Sequence, residues 1–282
     1  NYIPAPDTIY NDVYKLEPGT LMCISNKLEY RITKYWSLDD VAKQNKPDAC
    51  NYTEQKAINE LESLLVDSVG MRMVADVPLG AFLSGGIDSS VVVALMQAQS
   101  EKPINTFSIG FNEDDYNEAH YAAQVAKHLG TNHTEFYVKP NDAMDVIPKL
   151  PYIYDEPFSD SSQIPTYLVS ALTRKHVTVA LSGDGGDECF AGYSRYFLAK
   201  RIQFLQSLFP NVIRRNLASM LHYFSPSSFD QLARLIPRKN RPNQFGHRVH
   251  KLADILLESE DGFYRRLISH WHQTEEIVIN GN

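Results

Sequence analysis

The sequence predicts an α/β fold with a parallel sheet, on three observations. Short apolar runs alternate with stretches of helical periodicity between Thr53 and Leu181, the pattern of successive βαβ units. The helical stretches are long enough to serve as crossovers between parallel strands. Two of the apolar runs end in glycine-rich loops, one at Ser84-Gly85-Gly86 and one at Ser182-Gly183-Asp184-Gly185-Gly186. Open α/β sheets bind ligands outside the carboxyl ends of their strands, so both loops are expected on one rim.

The elements follow in order. Residues 1–36 read as short strands: Thr20–Ser25 is apolar, Lys27–Ile32 alternates, and Glu17-Pro18-Gly19 marks a turn. Residues 37–52 are polar, contain Pro47 and read as a linker. Thr53 can cap a helix in which Ile58, Leu61, Leu64, Leu65 and Val69 recur at helical spacing as far as Gly70. Val74–Leu83 is a strand candidate interrupted by Asp76 and Pro78, and Ser89–Gln99 is helical. Ile104–Gly110 is a buried-strand candidate. Asn117–Leu129 is a helix with Ala119, Ala122, Ala123 and Ala126 on its buried side and Gly130 at its end. Thr134–Val138 is a strand, Gln163–Lys175 a helix and Val177–Leu181 a strand. After Phe197 the segments 202–208, 212–223, 229–236 and 252–269 all read as helical.

Composition narrows the function classes. The chain has 282 residues, 43% of them hydrophobic, enough for a sizeable core. No apolar run reaches the length of a membrane span, and a soluble cytoplasmic protein is expected. Cys23, Cys50 and Cys189 are far apart and odd in number, which argues against a disulfide framework and a zinc site. The net charge is −7, yet residues 200–251 hold ten Lys/Arg against one acid, Asp230, a local charge of +9. Such asymmetry suits a polyanion-binding surface. Without interleaved aromatics, docking of a helical segment onto acidic neighbours is the preferred reading. His270-x-His272 could be a metal pair, but residues two apart on a helix do not face each other. No GxSxG elbow surrounds Ser90 or any other serine, so hydrolase chemistry has no support.

The chemistry concentrates in the two loops. Residues 83–90, Leu83-Ser84-Gly85-Gly86-Ile87-Asp88-Ser89-Ser90, lie between a predicted strand and a predicted helix. Backbone N–H groups and the positive end of the helix would converge there on an anion. Gly85 and Gly86 permit close approach and positive φ, and Ser84, Ser89 and Ser90 add hydroxyls. There is no Walker lysine. Asp88 would repel a phosphate unless a cation lay between them, which assigns it to Mg²⁺. The second loop, Ser182-Gly183-Asp184-Gly185-Gly186-Asp187-Glu188, combines three glycines with three acids. That mixture suits a place where a metal, an amine or a ribose meets a nucleotide.

Ser-Gly-Gly-Ile-Asp-Ser-Ser after a strand resembles the pyrophosphate loop of the ATP pyrophosphatases (PP-loop enzymes). Ser-Gly-Asp-Gly-Gly-Asp-Glu followed by Ala191-Gly192-Tyr193 resembles their asparagine synthetase and β-lactam synthetase branch. The resemblance runs from about Glu54 to the end of the chain. It implies an adenine nucleotide alpha hydrolase-like sheet with a helical C-terminal extension, and ATP and Mg²⁺ as cofactors. It implies ATP contacts at Leu83, Ile109, Ser182 and Gly183, beside the loop residues Ser84, Gly85, Gly86, Asp88, Ser89 and Ser90. It makes Asp88 and Asp187 the magnesium carboxylates. Asp184 matches an acidic position, commonly Glu, tied to forming and using the adenylate, and is one methylene shorter here. Asp155-Glu156-Pro157-Phe158-Ser159-Asp160-Ser161-Ser162 resembles the family's acceptor-side segment. Its plainer reading is a turn in which Ser161 or Ser162 caps the following helix.

The activity implied is amide formation: aspartate is adenylated on its side chain and attacked by glutamine-derived ammonia, giving asparagine and AMP. Whole family members carry an N-terminal glutaminase domain with a nucleophilic Cys at residue 1. Residues 1–36 resemble that domain's last strands, with 37–52 the linker and 53–282 the ATP-binding domain. A later Lys-x-Asp-Arg segment of the family has no match here. The expectation is therefore a chain cut at both ends and inactive by itself, with the missing glutaminase domain as its partner in the same polypeptide. A homodimer is possible; nucleic acid and membrane are not expected partners. Three alternatives stay open: another carboxylate in an antibiotic or polysaccharide pathway, a tRNA-modifying ATP pyrophosphatase using residues 200–251, and a non-catalytic nucleotide-binding module.

Overall fold

The computed structural model describes residues 2–44, 53–111, 117–208, 210–233 and 244–257. Cys50 and the His270/His272 pair lie outside them. The chain forms two compact units, residues 1–184 and 185–282. The division falls inside the second glycine loop.

The first unit opens with an antiparallel hairpin, β1 (Thr20–Ile24) and β2 (Tyr30–Lys34), paired from Thr20↔Lys34 to Ile24↔Tyr30. Leu38–Gln44 follows as α1, so the expected linker is helical over part of its length. Asp39 and Asp40 in the first turn and Lys43 in the last complement the helix dipole. The helix expected after Thr53 is α2 (Glu54–Met73). The Thr53 side chain accepts from the Lys56 amide at 3.3 Å, the predicted cap.

The central sheet has four parallel strands in the order β5-β4-β3-β6. These are β3 (Leu79–Phe82), β4 (Asn105–Phe111), β5 (Asn132–Val138) and β6 (Val179–Leu181). Strand β3 is shorter than the apolar run around it. Pro78 has no N–H to donate to a ladder, so regular pairing starts after it. Its carbonyl still opens the pairing with β6 by accepting from the Thr178 amide at 2.9 Å. Helix α3 (Ile87–Ala98) joins β3 to β4, and α4 (Ala119–Leu129) joins β4 to β5. Gly130 ends α4 at φ 72°, the left-handed cap read from the sequence. The chain then passes through α5 (Pro140–Met144), a 3₁₀ turn, α6 (Leu150–Tyr154) and α7 (Gln163–Thr173) before β6. The short helices α5 and α6 were not expected.

Register assigns the two sheet faces. Ala81 and Leu83 join Val69, Val93, Met96, Ile104, Ala122 and Ala126 in the core shared with α2, α3 and α4. On the other face Phe107 stacks with Phe136 at 6.2 Å and with His176 at 5.6 Å. A Cβ on Gly80 would stand 2.8 Å from the Phe107 ring, so this glycine makes room for the aromatic cluster.

The second unit is helical among its described residues: α8 (Gly186–Phe190), α9 (Ser194–Leu208), α10 (Asn211–Tyr223), α11 (Pro226–Leu232) and α12 (Phe245–Leu257). Ile202 of α9 packs with Ile255 of α12. Asp230, the only acid in 200–251, accepts from the Gly246 amide of α12 at 2.8 Å. No helix among the described residues is long and apolar enough to cross a membrane.

A polar network lies on the α4 side of the sheet. The Nδ1 of His133 is 2.9 Å from the Thr106 hydroxyl and its Nε2 is 3.3 Å from the Ser108 hydroxyl. Thr106 also pairs with Thr131 at 2.9 Å. Burial lowers the His133 pKa, with Glu135 opposing, so the folded protein holds the ring neutral. An unfolded chain takes up that proton below about pH 6.5. Stability from this group is therefore complete above that pH and is lost as pH falls through the lowered folded-state value. His133→Gln is expected to be less stable than the parent at pH 7.5, with the gap narrowing at pH 5. Urea midpoints of the two proteins at both pH values measure this, and a gap independent of pH would contradict it.

Candidate active site

The sheet's strand order reverses beside β3. The chain steps from β3 to β4 to β5 on one side, then returns to add β6 on the other. Ligands of open α/β sheets bind outside the strand ends at such a reversal. Both glycine loops emerge there, the first after β3 and the second after β6, from parallel strands paired Ala81↔Leu181 at their ends. The shared rim expected from the sequence is thus present in the first unit.

The first loop is wired internally. Gly85 has φ 83°, and a Cβ on it would stand 2.7 Å from both the Ala122 amide and Tyr121 Cβ, so α4 presses directly on its backbone. The Ser89 hydroxyl lies 2.9 Å from that of Ser84 and accepts from the Ser84 amide at 3.2 Å. Ser84 Oγ in turn accepts from the Gly86 amide at 3.2 Å. Gly86 begins α3 with no side-chain cap. The first-turn amides of Ile87, Asp88 and Ser89 have no hydrogen-bond partner among the described residues. Unpaired amides with the positive end of a 12-residue helix form an anion site. The serines do less than the sequence reading asked: Ser89 is buried within the loop, and the Ser90 hydroxyl is buried without a partner.

The second loop lies on the first. A Cβ at Gly183 would stand 2.6 Å from the Ser89 amide nitrogen and 2.9 Å from the Asp88 carbonyl carbon. Leu83 is buried and donates its amide to the Phe107 carbonyl at 2.8 Å, so its backbone, not its side chain, faces the rim. Ile109 lies two residues past Phe107, the partner of the last residue of β3, and pairs with Phe136. Asp184 is exposed and folds back on its own loop, accepting from the Ser182 hydroxyl at 2.9 Å. The short acid therefore rests against Ser182.

Asp187 and Glu188 stand in the first turn of α8, in the second unit, after Gly185 at φ 88°. Gly192 closes on this turn, its amide donating to the Asp187 carbonyl at 3.0 Å. The Tyr193 hydroxyl donates to Glu188 at 2.6 Å, and the Arg195 guanidinium lies 4.2 Å from the Tyr193 ring centre. The bond to Glu188 pushes the Tyr193 pKa up to about 12 and lowers that of Glu188. Sequence reading named Tyr193 only as part of a motif and did not find Arg195.

The residues fit magnesium. The Asp88 carboxylate has no hydrogen bond or ion pair among the described residues. Those residues include no group of three metal-ligating side chains, and Mg²⁺ is commonly held by one or two carboxylates together with water and substrate phosphate.

The acceptor-side segment ends at α7. A helix that leads into a parallel strand runs back along the sheet, so Gln163 starts α7 on the loop rim. Ser162 occupies the N-cap position, but its side chain makes no capping bond. Asp160, just before the helix, accepts from the Ser162 amide at 2.8 Å, and this bonding lowers its pKa.

The family model described as asparagine synthase matches residues 60–279. The chain belongs to the asparagine synthase family. The matched region takes in both glycine loops and the acceptor-side segment. Over 215 residues the chain is 45% identical to "Putative asparagine synthetase [glutamine-hydrolyzing] 2" of Methanocaldococcus jannaschii, covering 76% of this chain and 40% of that protein. It is 35% identical over 195 residues to "Asparagine synthetase [glutamine-hydrolyzing] 1" of Bacillus subtilis, covering 69% and 30% respectively. The chain thus spans less than half the length of these relatives.

Replacing Gly183 by Ala sets a methyl group against backbone on two sides. The expected loss is about 1–3 kcal/mol, the usual range for overpacking, read as a lowered urea midpoint. Gly183 is not among the positive-φ glycines, so the loss reports the close contact and not backbone strain. A midpoint equal to the parent's would contradict the close approach.

Proposed function

We propose that the protein carrying this chain is an ATP-dependent amide-forming ligase. It adenylates the side-chain carboxylate of aspartate, releases pyrophosphate and passes the acyl adenylate to glutamine-derived ammonia, giving asparagine and AMP. The observation that carries this reading is the first loop: unpaired first-turn amides of α3 at the strand-order reversal, in a chain of the asparagine synthase family.

The roles follow from chemistry. The amides of Ile87 and Asp88, with the positive end of α3, hold the pyrophosphate portion of ATP as charge builds on it. Ser182, Gly183, Leu83 and Ile109 contact the rest of the nucleotide. Gly183 leaves the rim open to backbone contact because it carries no side chain. Asp88 and, on its sequence motif, Asp187 would hold magnesium, which would supply positive charge for the leaving pyrophosphate. Asp184 stands beside the nucleotide loop and takes a proton from the incoming nitrogen. To do so it gives up the Ser182 hydroxyl, which would then donate elsewhere in the loop.

The test is pyrophosphate release by the full-length protein with Mg·ATP, ammonia and a panel of amino acids. Release that requires aspartate is expected, falling about 10²-fold or more in Asp88→Asn, the scale for losing one electrostatic stabiliser. Release with a different carboxylate would keep the ligase and change its substrate. ATP binding without release from any carboxylate would rule the ligase out. Asp184→Asn is expected to bind ATP as the parent does while amide formation falls by about 10²-fold or more, the loss typical of a missing general base. Unchanged amide formation would remove Asp184 from the mechanism.

A further inference from the structure

Glu156, inside the acceptor-side segment, is held by residues more than a hundred positions earlier. Its Oε2 forms an ion pair with the Lys15 ammonium. Its Oε1 accepts from the Ile9 amide at 3.4 Å. Lys15 also donates to the Ile3 carbonyl at 2.8 Å, and its own amide donates to the Pro6 carbonyl at 2.8 Å. The carboxylate is only 17% exposed and the lysine 35%. A partly buried pair with further hydrogen bonds is worth more than a solvated surface pair, and removing one member leaves the other poorly solvated.

The held segment is bent under strain. Asp155 ends α6 at φ 59°, a left-handed conformation that a residue with a side chain adopts at a cost of about 1–2 kcal/mol. Tyr154 and Phe158 stack at 4.8 Å across the bend. A cleft of about 390 Å³ lies against it, lined by Tyr154, Glu156, Phe158 and Gln163 among others, within the volume range of small-molecule sites. A strained bend keeps its shape only where its surroundings over-determine it. Ile9 and Lys15 supply such holding contacts from a distant part of the chain.

We infer that Lys15 is a positioning residue: through Glu156 it fixes the bend at 154–158 and so the shape of the cleft that receives the carboxylate substrate. This rests on the ligase reading above and adds to it a determinant of substrate affinity outside both glycine loops. Lys15 touches neither ATP nor the reacting atoms, so its effect falls on KM for the carboxylate.

The experiment compares the full-length protein with Lys15→Met, Lys15→Arg and Glu156→Gln, measuring KM for the carboxylate, kcat and the Kd for Mg·ATP. In Lys15→Met and Glu156→Gln the carboxylate KM is expected to rise about tenfold or more, the equivalent of about 1.4 kcal/mol of lost binding, with ATP affinity unchanged. Lys15→Arg, which keeps the charge, should recover most of the loss. A wild-type carboxylate KM in both Lys15→Met and Glu156→Gln overturns the inference. Equal losses of carboxylate and ATP affinity also overturn it, because they mark general loosening. A parent protein that turns over no carboxylate ends the ligase reading and this inference with it; a parent that does so, with unchanged KM in the variants, ends this inference alone.

Discussion

The site depends on a close approach of backbone to backbone. Gly183 lies against the Ser89 amide and the Asp88 carbonyl, at a separation no Cβ could share. That contact brings the loop after β6 onto the first turn of α3, where helix amides are unpaired. It is possible because β6 joins the sheet beside β3, with Pro78 accepting the first bond between them. Gly85 repeats the device from the other side, yielding to α4 at Ala122. Two glycines and the Ser84–Ser89 hydroxyl pair thus fix the direction of the loop's amides.

Charge differs between the two loops. The first offers N–H groups and helix dipole with a single acid, Asp88. The second is acidic at Asp184, Asp187 and Glu188. Charge elsewhere is partly structural. Arg214, counted among the basic residues of 200–251, donates to Asn211 and to the Leu256 carbonyl. Asp230 is occupied at the start of α12, and His222 pairs with Asp254 at 2.9 Å.

The N-terminal residues have a double character. The hairpin β1–β2 leaves Leu21, Ile24, Tyr30 and Ile32 exposed, more apolar surface than a two-stranded hairpin can stabilise by itself. The residues just before it do the opposite, engaging Glu156 within the first unit. Segments so far apart in sequence share a contact only because α5, α6 and the bend at Asp155 carry the chain out between β5 and α7.

Local chemistry was legible in the sequence. Helical and strand periodicity marked the elements of the sheet. Thr53 and Gly130 announced helix ends through side-chain capping and positive φ, both of which are properties of single residues. The first loop reads as an anion-site candidate because glycines and hydroxyls after an apolar run and before a helix leave backbone amides free, whereas the acids of the second suit a metal, an amine or a ribose. What tertiary structure decided was every choice between groups of equal local merit. Ser162 stands at the N-cap of α7 without a capping bond, while the Asp160 carboxylate takes the Ser162 amide. Ser89 turns inward, and Asp184 leans on Ser182. Helices α5, α6 and α8 are five residues each, too short for periodicity to reveal and stabilised by what they pack against. Lys15 carried no signal at all, because a lone lysine in a turn-rich segment gains meaning only when a buried carboxylate is folded onto it.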